Sequence, residues 1–292
     1  MKRTSPPVQN WIRMADWASI RSEFIWVYEG TVEEKYRSVR VHYPGCSALL
    51  ILSGTLRVET EHGETSAGKG HWVFPRQGPR LQEFSGEARV LSLHFNFQWP
   101  GGMPVFAWDV AYVCESAAVP RLEKEARAML GIAKRNFPGA GSAMPWTYGD
   151  IQTQLLLNKG LANWLCIYVQ TLLNAGMLPS RLGPIDDRVA RAMRVIDELP
   201  LDGKFDKRGL AAEVGLSTGQ LDRLFAKQFG ATPRQHVDRR KLDRCMELMQ
   251  NSALSIKEIG GELGFQSQPF FCRWFRSHTG NSPRQYLKSH RL

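Results

Sequence analysis

Ala211-Ala212-Glu213-Val214-Gly215-Leu216 returns 49 residues later as Gly260-Gly261-Glu262-Leu263-Gly264-Phe265. One inserted residue, Gln266, moves the offset to 50, and Ser217 then matches Ser267, Leu221 matches Phe271, Arg223 matches Arg273 and Phe225 matches Phe275. The match closes with Gly230-Ala231-Thr232-Pro233-Arg234-Gln235-His236 against Gly280-Asn281-Ser282-Pro283-Arg284-Gln285-Tyr286. Each copy reads as helix, tight turn, helix. Gly215 and Gly264 accept the positive φ of a helix C-terminus. Ser217 and Ser267 are N-cap residues for the second helix, and Ser217 with Gln220 forms a capping box, as does Ser255 with Glu258 one helix earlier in the second copy. Ala211, Ala212, Gly260 and Gly261 put small side chains where the two helices cross, and close approach is the reason expected for the two glycines.

A helix-turn-helix places its second helix in the major groove with the N-terminal residues at base edges. On the first such helix Leu221, Leu224 and Phe225 face inward, leaving Ser217, Thr218, Gly219, Asp222 and Arg223 outward. On the second, Phe271, Trp274 and Phe275 face inward, leaving Ser267, Gln268, Pro269, Cys272, Arg273 and Arg276 outward. Arginine matches the guanine acceptors bidentately and glutamine can pair with adenine. Cys272 is expected to pack, not to react. Between the units a helix from Thr232-Pro233 to about Gln250 spans roughly 28 Å, near the ~34 Å between successive major grooves on one face of DNA. It carries Arg239, Arg240, Lys241 and Arg244, suited to the intervening phosphates.

Composition agrees. The 292 residues exceed one small domain, 43% are apolar and 23% charged, and the net charge of +10 favours an anionic partner. Five widely spaced cysteines without a C-x-x-C pair argue against a disulfide framework or a zinc finger, and fit a reducing compartment better. Met1-Lys2-Arg3-Thr4-Ser5-Pro6-Pro7 lacks the apolar run of a signal peptide, and Leu161 to Leu173 is too short and too interrupted to span a bilayer. A soluble cytoplasmic protein without membrane contact is expected.

Residues 39–97 read differently. Short apolar or alternating runs (Ala48–Leu52, Leu56-Val58-Thr60, His71–Phe74, Arg89–Phe97) are separated by Gly and Pro, the pattern of a small sandwich or barrel. Two helices follow, Leu122 to Arg135, and a second from an Asp150 N-cap to Gly176. The second has two apolar stripes: Ile151, Leu155, Ala162, Leu165, Val169 and Leu172, and Leu157, Leu161, Trp164 and Tyr168. Such a helix needs two covers, and it reads equally well as a central core helix or a dimerisation helix.

Residues 186–292 strongly resemble the double helix-turn-helix domain of AraC/XylS-type bacterial transcription regulators. The resemblance rests on Ile256-Lys257-Glu258-Ile259-Gly260-Gly261-Glu262-Leu263-Gly264-Phe265, on Phe271-Cys272-Arg273-Trp274-Phe275-Arg276 after Ser267, and on Gly280-Asn281-Ser282-Pro283-Arg284-Gln285-Tyr286. Gly260, where the family usually has alanine, and Pro269, where a polar base reader is common, depart from the pattern. Leu49–Gly54, Gly70–Pro75 and Leu91–Phe95 resemble the family's cupin-like domain.

The resemblance implies an α+β two-domain chain. Residues 1–180 would form a cupin-like β-barrel with dimerisation helices, 181–185 a linker, and 186–292 an all-α domain with two helix-turn-helix units. It implies a ligand-responsive, sequence-specific regulator, with double-stranded DNA, a small-molecule effector, a second copy of the chain and RNA polymerase as partners. Arg40, His42, Trp72, Arg80, Gln82, His94 and Asn96 are the inward candidates for effector binding, and suit a sugar or a polar aromatic compound. The cupin enzymes' histidine cluster is missing, so no metal, no cofactor and no catalysis are expected. A domain that binds a protein partner, or a vestigial cupin enzyme, is the alternative for the N-terminal part.

Overall fold

The computed structural model describes residues 20–43, 45–99, 102–140, 144, 147–180, 186–251 and 254–290, with backbone alone at 42, 43, 247, 250, 251 and 288–290. It divides into two compact units, Met1–Arg181 and Leu182–Leu292. The proposed linker 181–185 lies outside the described residues.

The first unit is built from strands β1 (Arg21–Thr31), β2 (Ser38–Tyr43), β3 (Cys46–Ser53), β4 (Thr55–Thr60), β5 (Gly63–Gly68), β6 (His71–Pro75), β7 (Gly78–Phe84), β8 (Arg89–Trp99), β9 (Met103–Pro104) and β10 (Ala111–Glu115). They form two antiparallel sheets. One runs β1-β8-β3-β6-β10, with β9 on β8, and the other runs β2-β7-β4-β5. Among the described residues the sheets are not joined into one closed barrel; they are two layers.

Strand β8 shows why both layers are needed. Its side chains alternate between faces, yet both faces are largely buried. Val90 packs with Leu49, Ile51 and Val73 of its own sheet against Leu56, Val58 and Ala67 of the other. On the opposite face Phe95 meets the rings of Trp164 and Tyr168 at 5.1 and 5.9 Å. These belong to α2 (Ile151–Asn174), which follows α1 (Pro120–Asn136). The order is therefore sheet, sheet, helices.

Helix α2 starts where its sequence requires: the Asp150 side chain accepts from the Thr153 backbone N–H at 2.8 Å. Gly176 follows its C-terminus at φ 79°. The stripe Leu157, Leu161, Trp164 and Tyr168 is buried, and Leu165 and Leu172 join it. The other stripe is open at its N-terminal end, where Ile151 is 77% and Leu155 61% exposed.

The second unit is helical: α3 (Asp187–Glu198), α4 (Lys207–Glu213), α5 (Thr218–Phe229), α6 (Pro233–Asn251), α7 (Ile256–Glu262), α8 (Gln268–Thr279) and α9 (Pro283–His290). The repeat appears as two cores. Leu210, Ala211, Val214, Leu221 and Phe225 close one around Val189, Met193 and Ile196 of α3. Ile259, Leu263, Phe271 and Phe275 close the other around Cys245, Leu248 and Met249 of α6. Helix α6 gives Val237 to the first core and its second half to the other.

Candidate nucleic-acid interface and inter-sheet site

Both turns form as the spacing dictates. Gly215 and Gly264 have φ 69° and 76°. At Gly264 no side chain fits, because a Cβ would stand 2.1 Å from the carbonyl oxygen of Asp202. The two glycines of α7 differ. A Cβ at Gly260 would lie 3.3 Å from Phe271, so close approach explains that residue, whereas Gly261 has nothing within 4 Å and close approach does not explain it.

Capping is unequal. Ser217 and Gln220 form the full reciprocal box, and so do Ser255 and Glu258. Ser267 occupies the N-cap of α8, but its side chain makes no capping bond. Pro269 falls in the first turn of α8, where its missing N–H has no helical acceptor to lose.

On α5, Gly219 and Arg223 are exposed and Thr218 half-buried. Asp222 departs from the expectation of a free outward residue: it is half-buried and accepts from Lys207 Nζ of α4 at 2.8 Å, so it ties two helices together. On α8, Gln268, Pro269, Arg273 and Arg276 are all exposed and Cys272 is half-buried. Phe270, which the sequence reading passed over, is 54% exposed beside them. The adjacent pair Phe270-Phe271 was the available signal, since only one of two neighbours can face the core of a helix.

The strut corrects a second expectation. Arg240 faces α3, not a free surface: its guanidinium donates to the carbonyls of Ile196, Leu199 (3.3 Å) and Asp197 (2.6 Å). Lys241 donates to the Leu263 carbonyl at 2.9 Å and lies 5.4 Å from the Phe265 ring centroid. Burial lowers the Lys241 pKa, with Arg234 adding to the effect. Two neighbouring cations of the strut thus meet the negative ends of α3 and α7. With Trp274 Nε1 donating to Asp238 Oδ1 at 3.4 Å, they fix α6 to both cores and so set the spacing of α5 and α8. Arg239 and Arg244 also lie on α6 and have interactions of their own.

In the first unit, the residues named for effector binding divide between faces. Arg80 and Gln82 pair with Val41 and Val39 across β2 and are buried, while the intervening Arg40 is exposed on the outer face. Period-two alternation puts Arg40 out and therefore away from the interior. Trp72 is also a correction: it is fully buried, but against Trp164 of α2, on the helix side of its sheet. The His42 side chain lies outside the described residues.

Arg80, Gln82, His94 and Asn96 remain. Arg80 Nη2 donates to Ser47 Oγ at 3.4 Å, and Ser47 Oγ is 3.2 Å from His94 Nδ1. His94 stacks on Trp26, centroids 4.0 Å apart, and burial with the nearby Arg80 charge pushes its pKa down to about 3. Asn96 donates to Glu23 at 2.8 Å. The Gln82 Nε2 and Ser92 Oγ atoms are buried with no hydrogen-bond partner among the described residues. The space between the sheets is thus apolar around Leu49, Ile51, Leu56, Val58 and Val90, and polar around Ser47, Arg80 and His94.

Four of the thiols are held in their protonated form, the opposite of an activated nucleophile. Burial pushes the thiols of Cys46 and Cys245 up to about 12 and that of Cys114 to about 11, and raises Cys272. Among the described residues no three His, Cys, Asp or Glu side chains are grouped to hold a metal ion. No helix among the described residues is long and apolar enough to cross a membrane.

A domain that repeats a helix-turn-helix about one strut defines a DNA-binding class, and a profile of helix-turn-helix domains matches residues 210–289. The chain is 30% identical over 138 residues to the arabinose operon regulatory protein of Escherichia coli, covering 47% of this chain and 46% of that protein. It is 21% identical over 244 residues to the regulator ExsA of Pseudomonas aeruginosa, covering 80% and 83%. In three dimensions it resembles ToxT of Vibrio cholerae, with a TM-score of 0.55 at 13% identity for an apo structure, over 93% and 97% of the two chains. ToxT bound to an unsaturated fatty acid gives 0.51 at 13% identity over 92% and 95%. The chain spans about half the length of the first of these curated relatives. Residues 210–289 thus carry a helix-turn-helix domain, and the chain is similar in sequence to these transcriptional regulators.

Proposed function

We propose that this protein is a ligand-responsive, sequence-specific transcription regulator that inserts α5 and α8 into successive major grooves of double-stranded DNA. The observation that carries the reading is the clamped strut: a helix of 19 residues, about 28 Å long, holds two separately packed helix-turn-helix cores. Arg223 and Arg273 occupy matching exposed positions on the two reading helices. Ser217, Thr218, Gly219, Ser267, Gln268, Pro269 and Arg276 complete the proposed contact surface.

The first unit is proposed as a cupin-like sensor. Buried donors at Arg80, Gln82 and Ser92 face the space between the sheets, an arrangement that suits a small molecule with an acceptor-rich head and an apolar body. The fatty acid carried by ToxT has that character. Sugars and polar aromatic compounds offer similar acceptors. The exposed stripe of α2, with Ile151 and Leu155, is proposed as the contact with a second copy of the chain.

Selection of duplexes from a random-sequence library by the full chain tests the reading. Enrichment of a site with two guanine-containing segments one helical turn apart is expected. Enrichment of a single segment, or of none, would overturn the two-groove arrangement.

A further inference from the structure

We infer that Phe270 is a specificity-determining residue of α8, contacting the C5-methyl group of a thymine next to the base that Arg273 reads. The inference rests on α8 lying in a major groove and adds a base identity to it.

Phe270 is the third residue of α8, in the turn that a groove-bound helix presents to base edges. Its neighbour Phe271 fills the core completely, so packing does not require a second large ring there. The ring of Phe270 touches Phe265, at a centroid distance of 6.0 Å, and otherwise turns outward. The Arg273 guanidinium lies over it, 5.8 Å from the centroid. That contact steers a long side chain onto one side of the helix.

The matching residues of the first helix-turn-helix show that this surface is particular to the second helix-turn-helix. At the offset of 50, Phe270 corresponds to Gln220, whose side chain is occupied in the capping box, and Cys272 corresponds to Asp222, which is bound to Lys207. In the second helix-turn-helix Ser267 makes no capping bond, and the residue at position 270 is released from that role. What is gained is an exposed apolar ring beside an arginine. In the major groove thymine presents a C5-methyl group that cytosine lacks, and apolar side chains read that group, while arginine reads the O6 and N7 of guanine. Phe270 and Arg273 together fit a thymine beside a guanine.

The test uses the full chain and the duplex enriched from the random library, with each thymine replaced in turn by deoxyuridine, which differs only by the methyl. One thymine next to the guanine sensitive to Arg273→Ala is expected to lose about fourfold in affinity, the value of one buried methyl group. Phe270→Ala is expected to abolish that difference while leaving the response at every other thymine intact. Phe270→Leu, still apolar, is expected to keep part of it, and both variants are expected to unfold at the wild-type temperature. An enriched duplex at which no thymine is sensitive, or at which the deoxyuridine penalty persists in Phe270→Ala, overturns the assignment of Phe270 alone. A selection that enriches nothing overturns the DNA-binding function and this inference with it.

Discussion

Asp222 and Lys207 are joined at 2.8 Å, carboxylate to ammonium, from α5 of the first helix-turn-helix back to α4, the helix that precedes it. The contact takes an acidic side chain that would repel phosphate and turns it into a brace. Both side chains are partly exposed, so the pair is worth no more than about 1 kcal/mol. Asp222→Ala is expected to lower stability by that amount or less in urea titrations and to leave base preference unchanged. A changed preference would restore Asp222 to the reading surface.

Arg223 and Arg273 differ from Asp222 in kind, because their exposed positions leave the guanidinium available to a base. Replacing either by Ala is expected to weaken binding to the selected duplex by about 1–3 kcal/mol, roughly 5- to 150-fold, and to relax preference at one position. Fluorescence anisotropy at fixed salt measures this. Wild-type affinity in both variants would remove the two arginines from the contact surface.

Arg240 is expected to behave as a structural residue. Its removal leaves carbonyls at the end of α3 without their donor, costing about 1.5–3 kcal/mol of stability. The slope of log affinity against log salt is expected to stay at the wild-type value, because no phosphate contact is lost. A slope reduced by about one would return Arg240 to the DNA backbone.

The two unlike glycines of α7 and its turn give opposite signs. Gly261→Ala adds a methyl in open space within a helix and is expected to raise stability by about 0.5–1 kcal/mol. Gly264→Ala meets both a positive φ and the Asp202 carbonyl, and is expected to destabilise by more than 1 kcal/mol. Thermal unfolding of the two variants side by side decides it.

His94 makes the first unit sensitive to acid. Its pKa in the folded chain is about 3 against an ordinary 6.5. Above pH 6.5 it is neutral in both states and has no effect. Below pH 6.5 the unfolded chain takes up a proton that the folded chain refuses, so stability falls until about pH 3, by roughly 1.4 kcal/mol at pH 5.5. His94→Gln is expected to flatten the change in melting temperature between pH 7 and 5.5. An unchanged slope would place the sensitivity elsewhere.

The open stripe of α2 carries the proposal of a dimer. Leu155→Asp is expected to leave the melting temperature within about 2 °C, because the side chain is exposed, and to shift the sedimentation profile from dimer to monomer. A variant that remains a dimer would move the interface to another surface.

The sequence by itself determined the second unit. A repeat of helix, glycine turn and helix is a local code: capping serines, positive-φ glycines and apolar residues at helical spacing act within a few residues of one another, and the structure follows it nearly residue for residue. It also fixed the ends of α2 through Asp150 and Gly176. Only the tertiary structure decided which side of each strand is inside, because alternation defines two faces without saying what covers them. Trp72 and Arg40 both lie on strands as expected, yet one faces the helices and the other solvent. The same holds for charge: Arg240, Lys241 and Asp222 read as surface residues of their helices, and became clamps because other helices brought carbonyls and a lysine within reach. Partners distant in sequence leave no periodic trace, and the packing of whole elements selects them.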